Sequence, residues 1–141
     1  MSCVNLSGVN LTSKDLSGVN LSGANLSGAD FTDCNLSGAN PTNANLTGAN
    51  LTDACLYRAN LTNACLYRAN LSDANMVWAI LVGANLSGAD FTDCNLSGAN
   101  LTNANLSGAN LSDADMGQAR ISGANLSDID MTDVYLGDCQ F

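Results

Sequence analysis

The groups in this 141-residue chain that could do acid–base, nucleophilic or metal chemistry are thirteen acidic residues, all of them aspartate, and six cysteines. Six of the aspartates keep a fixed spacing: Asp33, Asp53, Asp73, Asp93, Asp113 and Asp133 recur every twenty residues, and Asp30, Asp90 and Asp130 stand three places before members of that series. Carboxylates in a line could bridge divalent cations or present a regular row of negative charge. Neither histidine nor glutamate is present, so the usual general base near neutral pH and the commonest zinc ligand are missing. The cysteines show no C-x-x-C spacing, which argues against a thiolate zinc site. Only Lys14, Arg58, Arg68 and Arg120 oppose the acidic side, and the formal charge is −9. Direct nucleic-acid binding is disfavoured, because neutralising phosphates requires Lys and Arg.

A spacing of twenty has to be imposed by the elements that carry the side chains. Their period is five. From Leu6 through Leu11 and Leu16 to Leu136 and Phe141, every fifth residue is apolar, Leu giving way only to Phe31, Pro41, Met76, Phe91, Met116, Ile121, Met131 and Phe141. Two places earlier comes a small residue, usually Ala; an Asn or Asp sits between the two, and a Ser-Gly or Thr-Asp type pair follows. A period of five fits neither the 3.6 of a helix nor the 2 of a flat strand.

These A(N/D)LSX blocks resemble the pentapeptide-repeat family, with its A(D/N)LXX motif, over essentially the whole chain; the plain ANLSGANL style is most like the simple cyanobacterial members. The resemblance implies an all-β fold, a right-handed quadrilateral parallel β-helix with four pentapeptides per coil, here about seven coils in a single domain over 1–141. Leu and Ala then point inward, Asn or Asp outward, and the following pair turns the corner. Stacked coils pair as short parallel strands about 4.8 Å apart, giving a rod roughly 34 Å long. Each coil buries its Leu only against neighbours, as in other solenoids.

Several local features follow from that register. Val4, Val9, Lys14 and Val19 at one end, and Ile129, Val134 and Cys139 at the other, replace the small inward residue. Such bulk would close the ends, and end-to-end pairing into a homodimer is the expected association. Lys14 in an inward slot implies a first coil open enough for its amine to reach water. Cys34 and Cys94 fall inward three coils apart, too far to bridge, and Cys55 and Cys65 outward on opposite faces. Reduced thiols and a cytoplasmic location are expected, an organelle or lumen after removal of a targeting peptide being left open. The longest apolar run, Met76 to Val82, is too short to span a bilayer. A filled axis leaves no room for a cofactor, and no enzyme is expected.

Surface columns are the remaining source of function. The aspartate row has a structural explanation, since Asp before a turn accepts backbone hydrogen bonds and tolerates the dihedrals. It also has two functional ones: cation binding between successive carboxylates, and the DNA-like charge pattern by which some pentapeptide-repeat proteins protect gyrase. Gly8, Gly28, Gly48, Gly88 and Gly108 supply the positive φ of type II turns, and Asn5, Asn25, Asn45, Asn85, Asn105 and Asn125 are expected to form a side-chain ladder. Ser and Thr columns such as Thr12, Thr32, Thr52, Ser72 and Thr92 raise a remote ice-binding reading. The middle coils display a group of large side chains: Tyr57, Arg58, Tyr67, Arg68, Val77, Trp78, Ile80 and Val82. Arg58 under Trp78 suggests a cation–π stack, and the group is the expected site for an unidentified protein partner. The reading is a rigid scaffold or interaction module without enzymatic activity, with topoisomerase inhibition and a cation-binding rod as alternatives.

Overall fold

A computed structural model describes residues 4–141. The chain winds into square coils of twenty residues, so that a residue lies beside the one twenty places on. Parallel bridges run Asn5 to Asn25, Asn10 to Asp30, Asp15 to Asn35 and Asn20 to Asn40, one per side, and continue to Arg120 with Gln140. The four sides of the first coil are residues 4–8, 9–13, 14–18 and 19–23; these numbers plus multiples of twenty define the first to fourth faces.

Each side is tied to its neighbours by the same bonds. The Leu26 amide donates to the Asn45 carbonyl at 2.7 Å, the Gly28 amide to the Thr47 carbonyl at 2.9 Å, and the Asn25 amide to the Val4 carbonyl at 2.9 Å. The corner closes on itself, the Ala29 amide donating to the Leu26 carbonyl at 3.1 Å. The third residue of every such turn has positive φ, from Gly8 at +66° to Asp138 at +56°. That conformation is free for glycine, tolerable for Asn and Asp, and strained for larger side chains, which explains why Gly, Asp and Asn fill most corners.

Between corners the pentapeptide alternates. Ala and Leu face the axis, and from Ala24 to Ile121 the core is one continuous column in which Phe31, Leu51, Met76, Leu81 and Phe91 are wholly buried. Among the described residues no polar or charged residue is buried with them. Each fully buried Leu contributes about 1.5–3 kcal/mol relative to exposure. The Asn or Asp between Ala and Leu holds the outer surface: its Oδ1 accepts from the backbone amide two residues on, as Asn45 does from Thr47 at 3.1 Å and Asp30 from Thr32 at 3.0 Å.

Three expectations need correction. The bulky residues of the first coil do not close it, for Val4 is 59% and Val19 36% exposed and Leu6, Leu11, Leu16 and Leu21 are only partly buried. Among the described residues these side chains meet a neighbouring coil on one side only. Second, the side chain that caps the turn amide is not the corner Asp but the Asn or Asp three residues before it; corner Asp33, with φ +56°, contributes its dihedral tolerance. Third, Arg58 does not stack on Trp78. Its guanidinium lies over its own neighbour Tyr57, 5.1 Å from the ring centroid, and Trp78 leans the other way, over Gly98.

Pro41 occupies a Leu slot and is buried. It interrupts the bridge series between Asn40 and Asn60, the one rung missing among the described residues. The Asn60 carbonyl, which a Leu amide would have reached, accepts instead from Thr42 Oγ1 at 3.4 Å.

Candidate interaction surface

The expected binding residues divide between two corners. On the third face, Tyr57 and Arg58 lie one coil before Val77 and Trp78, the Arg58 amide donating to the Val77 carbonyl at 3.0 Å. Ile80 and Val82 follow around the next corner on the fourth face, with Ile80 bridged to Asn60 and Asn100. Tyr57, Trp78 and Ile80 are 37%, 49% and 40% exposed, whereas Met76, Ala79 and Leu81 between them are buried. The apolar run from Met76 to Val82 is therefore split by its register into core and display. Tyr67 and Arg68 do not join this group. They belong to the first face, where Cys65 is bridged to Asn45 and Asn85, across the rod.

Trp78 is the side chain whose placement the sequence least suggested. It holds φ +58°, a conformation uncommon for a bulky residue, and its indole covers Gly98 so closely that a Cβ there would lie 2.5 Å from the ring. Gly98 is thus the residue that sequence reasoning missed. The available signal was its position twenty residues after Trp78. Asn63 uses Gly83 in the same way, its Oδ1 lying 2.6 Å from where a Cβ would be.

The acidic side is the second face and its corner. Asp33, Asp53, Asp73, Asp93, Asp113 and Asp133 occupy successive left-handed corners, φ +53° to +59°. Asp30, Asp90 and Asp130 lie on the face itself and are engaged: Asp30 accepts from Thr32 Oγ1 at 2.6 Å, and Asp90 and Asp130 accept the corresponding bonds from Thr92 and Thr132 at 2.6 Å. These hydroxyl bonds, followed by the backbone amide, hold the Asp30 and Asp130 carboxyls below the usual range. Asp15 is lowered chiefly by the Ser17 amide. Among the described residues no three aspartates or cysteines come together as a metal site. The Thr hydroxyl protons are committed to these carboxylates, and elsewhere to Asn, as from Thr102 to Asn100 at 2.6 Å; they are not free to order ice.

On the adjacent first face, the asparagine column forms the expected ladder. Asn25 Nδ2 donates to Asn5 Oδ1 at 3.1 Å, and Asn125 to Asn105 at 3.1 Å. Cys65 interrupts it, Asn85 Nδ2 reaching only a sulfur at 3.9 Å. The described cysteines are all free. Cys34 Sγ donates to the Lys14 carbonyl at 3.0 Å; burial pushes the Cys34, Cys94 and Cys139 thiols up from their usual value.

The family model for pentapeptide repeats matches residues 1–38, 24–63, 69–108 and 99–138, and the chain belongs to the pentapeptide-repeat family. Its fold is the right-handed quadrilateral β-helix of that family. Among solved structures, the chain is similar to the pentapeptide repeat protein Rfr23 from the cyanobacterium Cyanothece, at 29% identity over 98% of this chain and 88% of that one, TM-score 0.44. It is 36% identical to a pentapeptide repeat protein of the Arabidopsis thaliana thylakoid lumen over 89% of this chain and 70% of that one, TM-score 0.41. Full-length QnrB1, a plasmid-mediated fluoroquinolone resistance protein, matches at 21% identity over 98% and 91%, TM-score 0.44. No curated protein sequence matches the chain. Among the described residues no helix is long and apolar enough to cross a membrane.

Proposed function

We propose that this chain is a non-enzymatic rigid rod that offers a protein partner the surface around Trp78. The observation that carries this reading is Trp78 itself, 49% exposed at a left-handed corner that most other repeats fill with Gly, Asn or Asp. A half-exposed indole held in a costly conformation, beside exposed Tyr57 and Ile80, has the composition of a binding hot spot. Stacking on Gly98 fixes the ring before a partner arrives and lowers the entropy lost on docking. Free thiols fit a reducing compartment such as the cytoplasm. The test is affinity capture with the parent, Trp78→Ser and Ile80→Asn: loss of specific partners from both variants is expected, and an unchanged partner list removes the reading.

A second reading draws on the unbroken corner row from Asp33 to Asp133, whose regular negative charge would suit a protein groove that receives DNA. It expects the purified chain to inhibit gyrase supercoiling, with Asp73→Asn and Asp93→Asn together relieving the inhibition; no inhibition at micromolar concentration ends it. The cation-binding rod draws no support from the carboxylate placement. End-to-end pairing of two copies would be detected as dimer mass in light scattering at high concentration.

A further inference from the structure

The segment CLYRAN occurs twice, at 55–60 and 65–70, and ten residues is half a coil. Bridges set Cys55 between Asn35 and Asn75, and Cys65 between Asn45 and Asn85, so the copies stand on opposite faces of the rod at nearly one level. They adopt the same arrangement. Cys55 Sγ lies 3.1 Å from Ser37 Oγ and Cys65 Sγ 3.3 Å from Thr47 Oγ1. Arg58 and Arg68 hold φ +55° and +54°. Each guanidinium lies over the ring of the preceding Tyr, at 5.1 and 5.0 Å from the centroid, and the two rings are 37% and 38% exposed.

Arginine at a left-handed corner carries strain that glycine would not, offset in part by the cation–π contact with the ring. The strain therefore leaves little net gain in stability, and it occurs twice with the same geometry. We infer that the two Tyr–Arg pairs are twin docking sites for acidic segments of a protein partner, each segment placing a carboxylate beside an apolar side chain. A guanidinium kept over a ring is restrained before a partner arrives, and its planar fork can donate to both oxygens of one carboxylate, while the Tyr ring supplies apolar contact. The aspartate corner lies between the two sites, with Asp53 and Asp73 at their level. Its charge opposes a long polyanion laid along the rod but is screened within about 8 Å at physiological salt, so a short acidic segment is favoured over nucleic acid. Sites on opposite faces cannot be filled by one short segment; the rod joins two partner copies.

The inference rests on the reading of the rod as an interaction module but not on Trp78, and the experiment separates the two. A random twelve-residue peptide library is selected on the immobilised protein, and an enriched peptide is titrated by calorimetry. The expected peptides combine Asp or Glu with Leu or Phe and bind two per chain. Arg58→Gly or Arg68→Gly leaves one peptide bound, and the double variant weakens binding at least tenfold with no loss of melting temperature. A single site lost in Trp78→Ser but kept in Arg68→Gly overturns the twin sites and preserves the Trp78 surface. Basic peptides that ignore both Arg substitutions, or no enrichment at all, overturn the inference, as does tighter Arg-dependent binding of a twenty-nucleotide single-stranded DNA.

Discussion

Positive φ is compulsory at every corner, so the corner residue decides locally between stability and display. At Gly98 the two demands meet. Gly98→Ala would add the left-handed penalty of about 1 kcal/mol and drive the Trp78 indole off its seat, since the new Cβ would lie 2.5 Å from it. Gly38→Ala, with nothing within 4 Å of its Cβ, would carry only the first cost. Thermal melts should rank Gly98→Ala below Gly38→Ala, and adding Trp78→Ser should close the gap; equal melting temperatures would show that the indole does not rest there. Burial raises the Cys34 and Cys94 thiols above their ordinary value near 9.0. The unfolded chain therefore releases these protons first, and their contribution is intact below pH 9 and is lost as pH rises above it. Melting temperature should fall above pH 9 and fall less in Cys94→Ala, whereas an identical pH profile would remove burial of that thiol as the cause.

The element of this fold is the pentapeptide side, which is stable only through the rungs above and below. Pro41 shows the dependence, because one missing amide removes the Asn40–Asn60 bridge and leaves the Asn60 carbonyl with a long hydroxyl bond of 3.4 Å. Restoring a short amide bond is worth about 1 kcal/mol. Pro41→Leu should therefore raise the melting temperature by several degrees, provided the added side chain fits the column as Leu101 does, and a fall would mean that the slot is overpacked. Excising residues 84–103, one whole coil, preserves every column and should give a folded, shorter rod of lower melting temperature by circular dichroism. An unfolded product would show that the coils are not interchangeable units. The repeat made the existence, the register and the interruption of these elements legible at Pro41, because every position has a fixed role. It could not say which Asx side chain caps the turn, since the corner Asp and the preceding Asn or Asp are both plausible acceptors and only their distances to the amide decide.

At the scale of the whole molecule, charge is concentrated along one corner and one face, with two arginines flanking it. The Asp15, Asp30 and Asp130 carboxyls are lowered by hydrogen bonds to Ser17, Thr32 and Thr132. Their contribution is present above the unfolded value near 3.8 and is lost as pH falls through the lowered values, so melting temperature should drop below about pH 4. Asp30→Asn should flatten that drop, and an unchanged acid limb would assign it to other groups. The sequence alone determined the period, the inward column and which residues share a face, because a five-residue repeat in a four-sided coil leaves each side chain a single address. It also separated Met76, Ala79 and Leu81 from Val77, Trp78 and Ile80 within one apolar run. Tertiary structure decided where the outward side chains lean: Trp78 onto Gly98, Arg58 onto Tyr57 and Arg68 onto Tyr67. An address fixes where a Cβ starts, but the Trp78 rotamer is set by the coil twenty residues on, and each Arg lies over the preceding ring at a left-handed corner that is held only once the coils have stacked.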